Sequence, residues 1–324
     1  MSTADRPRFV AIVNPASGRG SALPRVLGVQ RALHRRGAEL EIIPTARPGH
    51  ATEIAARLDA SVRAVLIAGG DGTVCEVAGG LRDLHVPFVV LPLGTENLLA
   101  RELGMPVDPE AAACNLLHGQ PRAIDACEMN GRRFLAVAGV GFDAECVERF
   151  MRIRRGHITH GDYFWPIWRT FWAHKFPILH VDVDGQRTFE GRGFLIMGNI
   201  SRYSIGWCVL PRAVPDDGLL DVLVYPCRSR WELTAHAART FLGRHLRGAG
   251  GVIYRQGCCV GVSSPTRVPV EIDGEPGGEL PALFRIVPAA IHCLVPPGSQ
   301  RVADTRVAAW DADLDEKPSE HQPG

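Results

Sequence analysis

Asp71 stands inside a run of glycines, Gly69-Gly70-Asp71-Gly72-Thr73. The run follows the apolar stretch Ala64-Val65-Leu66-Ile67-Ala68 and precedes Val74, Val77, Ala78 and Leu81 at helical spacing. Glycines between a buried strand and a helix let the backbone come close to a phosphate. The helix N-terminus adds free N–H groups and the positive end of its dipole. An acid in such a loop repels a phosphate unless a divalent cation or a proton-donating substrate lies between them. Asp71 is therefore metal-linked, hydroxyl-orienting, or a helix cap. Two further polar, glycine-bearing turns close apolar runs: Asn14-Pro15-Ala16-Ser17-Gly18 and Pro92-Leu93-Gly94-Thr95-Glu96-Asn97. Ligands of open α/β sheets bind at the carboxyl ends of the strands. Three such turns on one sheet edge predict a nucleotide crevice.

The elements that must carry these turns are legible. Phe9–Val13, Leu40–Ile43, Ala64–Ala68 and Phe88–Leu91 are apolar runs, separated by helical patterns that begin near Leu23, Ile54 and Val74. Gly37 is placed as a C-terminal stop for the first helix. Strands apolar on both faces, alternating with amphipathic helices, predict a parallel sheet covered on both sides, an α/β, Rossmann-like domain. Beyond about residue 120 the rhythm changes to short strand-like runs: Phe134–Ala138, Leu179–Val183, Phe194–Met197, Leu219–Tyr225, Val268–Ile272 and Ala290–Val295. Asp184-Gly185 is a hairpin signal, and one amphipathic helix runs from Trp231 to Leu246. This second part reads as a mostly antiparallel β-sandwich. The expected division is 1–128, 129–295 with the last strand able to return to the first domain, and a disordered, Pro- and acid-rich tail over 296–324.

The chain has 324 residues, 46% of them hydrophobic, enough for two domains with substantial cores. Lys and Arg total 36 against 35 Asp and Glu, so no global charge calls for nucleic acid, which is not expected as a partner. No apolar run approaches a membrane span, and the first residues lack a secretory pattern, so a cytoplasmic protein is expected. Nine cysteines without a CxxC pair argue against a disulfide framework or zinc knuckle. Cys258-Cys259 reads as two small buried residues of a strand.

The motifs in order resemble the diacylglycerol kinase catalytic domain, and more closely the bacterial lipid kinases related to diacylglycerol, sphingosine and ceramide kinases. They are Val13-Asn14-Pro15-x-Ser17-Gly18, Gly69-Gly70-Asp71-Gly72-Thr73 and Pro92-Leu93-Gly94-Thr95-x-Asn97, followed by Gly139-x-Gly141-Phe142-Asp143-Ala144, Pro215-Asp216-Asp217-Gly218-Leu219-Leu220-Asp221 and Asp273-Gly274-Glu275-Pro276. The resemblance spans about residues 8–295. Gly-Gly-Asp-Gly alone is shared with NAD kinases and phosphofructokinases, whose α/β fold the first domain is expected to share.

The resemblance implies an ATP- and Mg2+-dependent kinase with nucleotide in the interdomain cleft and a lipid hydroxyl, of diacylglycerol type, as acceptor. It places nucleotide binding on Asn14, Thr45, Gly69, Gly70, Asp71, Gly72, Thr73, Val74, Cys75, Glu76, Gly94, Thr95 and Asn97. It places a structural Mg2+ on the Asp217 side chain and the carbonyls of Val214 and Leu219, oxygen ligands suited to a hard cation. Asp71 and Glu275 are the catalytic pair, Glu275 as general base. Two positions depart from the family's pattern. Leu98 replaces the acid or second Asn after Gly-Thr-x-Asn, with Glu96 two residues earlier, and Cys75 replaces an Asn before Glu76.

Rival readings are an NAD kinase-like enzyme with a soluble acceptor, and a catalytically silent relative that binds nucleotide or lipid. Gly139-x-Gly141-x-x-Ala144 formally fits a dinucleotide fingerprint, but no βαβ continuation follows it. Residues 163–172, Tyr-Phe-Trp-Pro-Ile-Trp-Arg-Thr-Phe-Trp, hold six aromatics, flanked by Arg152, Arg154, Arg155 and Lys175 and including Arg169. Trp165, Trp168 and Trp172 share one helix face. That face either sits at a headgroup boundary, giving peripheral association at the inner membrane, or packs as a satellite core. Oligomeric state is left open, a homodimer being compatible with the sequence.

Overall fold

Phe9 to Val13 is apolar at every position because both faces of its strand are covered. In the computed structural model, which describes residues 7–82, 84–153, 161, 164–203, 207–246 and 251–298, this strand lies inside a parallel sheet. The first part of the chain runs β1 (Arg8–Val13), α1 (Ala22–Arg35), β2 (Glu39–Pro44), α2 (His50–Ala55), β3 (Val62–Gly69), α3 (Asp71–Gly80), β4 (Phe88–Pro92), α4 (Leu98–Glu102) and α5 (Pro109–His118). β1 pairs in parallel with β2 and β3, and β3 with β4. Gly37, at φ +75°, follows the end of α1. Asp108 caps α5 by accepting the Ala111 amide at 3.0 Å, with Pro109 at the first helical position.

The second part runs β5 (Gln120–Met129), β6 (Arg132–Phe134), β7 (Val137–Val140), α6 (Phe142–Ile153), α7 (Phe164–Ala173), β8 (Ile178–Val183), β9 (Gln186–Gly198), β10 (Leu220–Pro226), α8 (Arg230–Phe241), β11 (Ile253–Gly257), β12 (Cys259–Ser263), β13 (Pro269–Ile272), β14 (Glu275–Glu279) and β15 (Ala282–Val295). It is a sandwich. β9 belongs to both sheets: Gln186 to Arg192 pair with β8, and beyond them the strand pairs with β7 and β10. The β8–β9 turn is the predicted Asp184-Gly185, both residues at positive φ, as a type I′ hairpin requires. Between the sheets Leu179, Val181, Leu195, Met197, Val222, Val260, Val270 and Phe284 form a second core, separate from that of the parallel sheet.

β15 joins the two parts. It runs antiparallel to β5 from Phe284↔Met129 to Val295↔Gln120, antiparallel to β12, and parallel to β4 at Cys293↔Phe88.

Three local expectations are corrected. The run 134–138 is not one strand, because Leu135 and Ala136 turn their amides to the Asp273 carboxylate and interrupt the ladder between β6 and β7. The helix expected to reach Leu246 ends at Phe241, two residues before Gly243 at φ +64°. Cys258 and Cys259 are not buried core. Cys258 is exposed at the break between β11 and β12, Cys259 is half-buried, and both amides are taken by Asp184 Oδ1 at 2.9 Å. The tail beyond residue 298, Tyr163, Arg154 and Arg155 lie outside the described residues.

Candidate active site

The carboxyl ends of β1, β3 and β4 share one edge because the strands are parallel. Backbone bonds bind their turns side by side: Asn14 donates to the Ala68 carbonyl at 2.9 Å and Leu93 to that of Gly69 at 2.9 Å. Thr45, just past β2, joins them by donating its amide to the Val13 carbonyl at 2.8 Å. The Asn14 side chain donates to Thr73 Oγ1 at 3.3 Å. Gly70 and Gly94 touch backbone to backbone, since a Cβ on Gly94 would stand 2.7 Å from the Gly70 Cα. Asn97, at φ +51°, closes the loop holding Thr95 by accepting the Gly94 amide and donating to its carbonyl, each at 2.8 Å. The expected nucleotide-binding turns therefore form one surface.

Asp71 opens α3 and lies near the start of α4. Burial, followed by the charge of Asp273, pushes its carboxyl up to about 6, and prevails over the backbone amides of Leu98, Leu99 and Asn97 at the start of α4, which act to lower it. Thr73 and Val74 are buried beneath the turn. Glu76 faces the other way. It accepts the Gly49 and Ala51 amides at 2.9 and 3.1 Å, so its carboxylate anchors α2 and the loop behind Thr45. Leu98 is buried in the core, and Glu96 Oε2 lies 4.0 Å from Arg101 Nη1.

From the sandwich, the β13–β14 turn reaches the N-terminus of α3. Glu275, at the head of β14, has a side chain 51% exposed and 3.4 Å from Arg132 Nη2. Its Oε1 lies 3.8 Å from where a Gly72 Cβ would stand, so the predicted base faces the N-terminus of α3. Asp273, at φ +49°, holds this turn in place. Its carboxylate accepts the amides of Leu135, Ala136 and Val137 at 2.7, 2.9 and 3.1 Å, and the Cys75 thiol at 2.8 Å. Cys75 thus ties α3 to the sandwich, and burial followed by Asp273 pushes its thiol well up.

Several acids here were not singled out from sequence. Glu271 Oε2 accepts the Gly274 amide at 2.8 Å, and Glu271 pairs with Asp143, which is also bonded by Tyr203. Burial pushes both carboxyls up, and for Glu271 the charge of Asp143 adds to it. The pair needs Gly139: a Cβ there would stand 2.5 Å from Asp143 Oδ2 and 2.9 Å from Glu271 Oε1. Asp143 belongs to Gly139-x-Gly141-Phe142-Asp143-Ala144. The signal for Glu271 was an acid inside a run of β-branched residues.

The expected cation turn, Val214 to Leu219, lies elsewhere in the molecule. Asp217 Oδ1 accepts the Leu219 amide at 2.9 Å, while Asp125 on β5 accepts the amides of Gly218 and Ala289, each at 2.8 Å. Among the described residues no group of three or more His, Cys, Asp and Glu side chains could hold a metal. A cation here would rest on Asp217, carbonyls and water. Asp221 lies beside the turn with one buried oxygen unpartnered, so the donors at hand are all oxygens, which fits Mg2+.

Burial pushes Asp221 up to about 7, against the Tyr254 hydrogen bond. A carboxyl raised in the folded state contributes stability that is full below its unfolded pKa and lost as pH rises through 7. Asp221→Asn is therefore expected to gain on wild type by roughly 1–3 kcal/mol between pH 4 and 8. Urea denaturation in chelator across that range checks it, and parallel wild-type and variant pH curves would refute it.

On α7 Phe171 is half-buried and packs against the core of the parallel sheet, while the other described aromatics face outward. Phe164, Trp165, Trp168 and Trp172 are 68, 54, 47 and 53% exposed, while Pro166 and Thr170 face the protein. The satellite-core reading does not hold for these rings.

Comparison with known proteins agrees with this geometry. The profile described as the diacylglycerol kinase catalytic domain matches residues 8–129. That described as the YegS C-terminal NAD kinase beta sandwich-like domain matches residues 136–295. The diacylglycerol kinase of Mycobacterium tuberculosis (strain H37Rv) is 31% identical over 297 residues, covering 89% of this chain and 95% of that protein. That of Bacillus subtilis (strain 168) is 28% identical over 298 residues, covering 88% and 95%. A crystal structure of a diacylglycerol kinase from Bacillus anthracis (strain Sterne) shares the fold, with a TM-score of 0.68 at 19% identity over 91% of this chain and 99% of that one. These relatives make the protein a phosphotransferase with an alcohol acceptor. The chain belongs to the diacylglycerol kinase family.

Proposed function

We propose that the protein transfers the γ-phosphate of ATP to the hydroxyl of a diacylglycerol-type lipid. The observation that carries this reading is the approach of Glu275 to the N-terminus of α3, which brings a solvent-reaching carboxylate over the turn suited to phosphates. The amides of Gly69 to Val74 and the turn carrying Thr95 bind and orient the phosphates, with Asn14 and Thr45 along the same edge. Glu275 takes the proton of the acceptor hydroxyl as it attacks. Asp71 holds α4, and with it the Gly94–Asn97 turn, against the phosphate turn. Phosphoryl transfer is mostly positioning and charge neutralisation, and Mg2+ supplies the neutralisation when bound. Asp217 with the carbonyls of Val214 and Leu219 would hold a structural Mg2+.

The exposed rings of α7 support peripheral association with the inner face of the membrane, where such an acceptor resides. Among the described residues no helix is long and apolar enough to cross a membrane. Leu98, where the family's pattern has an acid or a second Asn, favours a second reading of nucleotide binding without transfer. Transfer of labelled γ-phosphate from ATP with Mg2+ to diacylglycerol, a sphingoid base, ceramide and phosphatidylglycerol in mixed micelles, with NAD as soluble control, decides between them. Labelled diacylglycerol is the expected product. ATP binding with no labelled acceptor would establish the second reading.

A further inference from the structure

Behind Glu275 stands a pair of acids that the transfer step described above does not use. Asp273 and Gly274 form the two-residue turn between β13 and β14, at φ +49° and +78°, and Ile272 pairs with Glu275 across it. Asp273 fastens the turn to the amides of Leu135, Ala136 and Val137. Glu271 fastens it a second time, since its Oε2 accepts the Gly274 amide at 2.8 Å. Gly274 is the residue before Glu275, so the Glu271 side chain holds the backbone from which the base projects.

Glu271 is held in turn by Asp143. It lies opposite Gly139 in the β13–β7 ladder and is 1% exposed. Its Oε1 and Asp143 Oδ2 are both buried, and both converge on the space that a Gly139 Cβ would fill. Among the described residues no N–H or O–H group reaches either oxygen. The titratable groups facing the pair are Asp273 in the turn, Tyr203 bonded to Asp143 from beyond β9, Cys146 on α6, and Cys75 of α3 behind Asp273. None of them carries a positive charge. Two buried carboxylates in contact without a cation cannot both ionise, and burial pushes both of these carboxyls up. We propose that Asp143 and Glu271 share one proton, and that the hydrogen bond it makes renders them positioning residues for Glu275, keeping the Gly274 peptide fixed and the base over the N-terminus of α3. The shared proton stands on the geometry of the pair alone, while its effect on turnover rests on the reading of Glu275 as the base. A proton on carboxyls raised by folding is kept at low pH and lost as pH rises. Its loss leaves two negative oxygens face to face, and they part at the expense of the Gly274 bond.

Infrared difference spectroscopy of the full chain, without nucleotide or lipid, tests the proton directly. Wild type minus Glu271→Gln at neutral pH is expected to show the carbonyl stretch of a protonated carboxyl, because the carboxamide donates to Asp143 in place of the shared proton and Asp143 stays ionised. Absence of that band would overturn the shared proton. Turnover tests the positioning. Glu271→Leu removes acceptor and donor together and is expected to lower kcat by about tenfold to a hundredfold, with KM for ATP unchanged. Glu271→Gln is expected to recover most of that loss and to flatten the alkaline fall of the wild-type kcat profile, because an amide keeps both bonds at every pH. Gly139→Ala sets a methyl between the two oxygens and is expected to lower kcat in the same way, so the test stays decisive when Glu271→Leu does not fold. Wild-type kcat in folded Glu271→Leu or Gly139→Ala, or a Gln variant no better than Leu, would overturn the positioning role. If wild type transfers no phosphate, the reading of Glu275 fails, and the spectrum still decides the proton.

Discussion

Replacing Glu275 with Ala is expected to lower turnover by about two to four orders of magnitude, the usual worth of a positioned general base. Nucleotide affinity should be nearly unchanged. The split between the two readouts follows from geometry. Glu275 stands beside Gly72 at the mouth of the phosphate turn and is half exposed, with Arg132 as its only partner described here. Its removal leaves no buried group unpaired and no cavity, so stability should be retained. Asp71→Asn should cost turnover on the same scale by a different route. Asp71 lies close enough to the amides at the head of α4 for them to act on its carboxylate, and an amide side chain offers them one oxygen and no charge where the carboxylate offered two oxygens and a charge. The Gly94–Asn97 turn then loses its fixed distance from the phosphate turn. Nucleotide affinity should fall along with turnover, unlike the Glu275 case. Steady-state kinetics and equilibrium nucleotide binding on both variants separate the two, and wild-type rates in both would remove these assignments.

Asp273→Ala should be the most destabilising substitution at the site, by about 3–5 kcal/mol. Three backbone amides and a buried thiol lose their acceptor together. Each orphaned buried donor costs about 1–3 kcal/mol, partly offset where water can enter. Against the 5–15 kcal/mol that holds a typical domain, this is a large fraction. Asp273→Asn keeps one oxygen for Ala136 and Val137 but turns an NH2 toward Leu135 and Cys75, so an intermediate loss is expected. Urea unfolding measures both, and a midpoint unmoved by Asp273→Ala would show that the turn is held by other means.

Much of the architecture was readable because buried parallel strands announce themselves. Phe9–Val13 and Ala64–Ala68 are apolar without interruption, and Asp184-Gly185 has the chemistry its turn demands. The turns at Gly69, Gly94 and Asn14 could be placed on one edge because parallel strands leave them nowhere else to go. What could not be read depends on partners far along the chain. The break at Leu135-Ala136 is made by a carboxylate at position 273, and no local pattern around 135 carries that information. The Asp143–Glu271 pair and the room Gly139 leaves for it are likewise visible only once β7 and β13 lie side by side. Asp125 did leave a trace: an acid in the middle of Ala123-Ile124-Asp125-Ala126-Cys127 contradicts the apolar run around it. Glu76 shows the opposite limit. Its place in the phosphate-loop motif suggested the nucleotide, while its carboxylate serves the amides of α2.

The position of β15 between β4 and the sandwich sets a condition on how the molecule is made. Phe88, on the strand that ends at the Gly94 turn, pairs with Cys293. About two hundred residues must leave the ribosome between the two, and contacts of such separation form late. Until they do, β4 is an open edge, the kind that invites pairing with other chains. The nascent protein therefore carries the glycine-bearing turns of β3 and β4 on an unfinished sheet until the last strand docks.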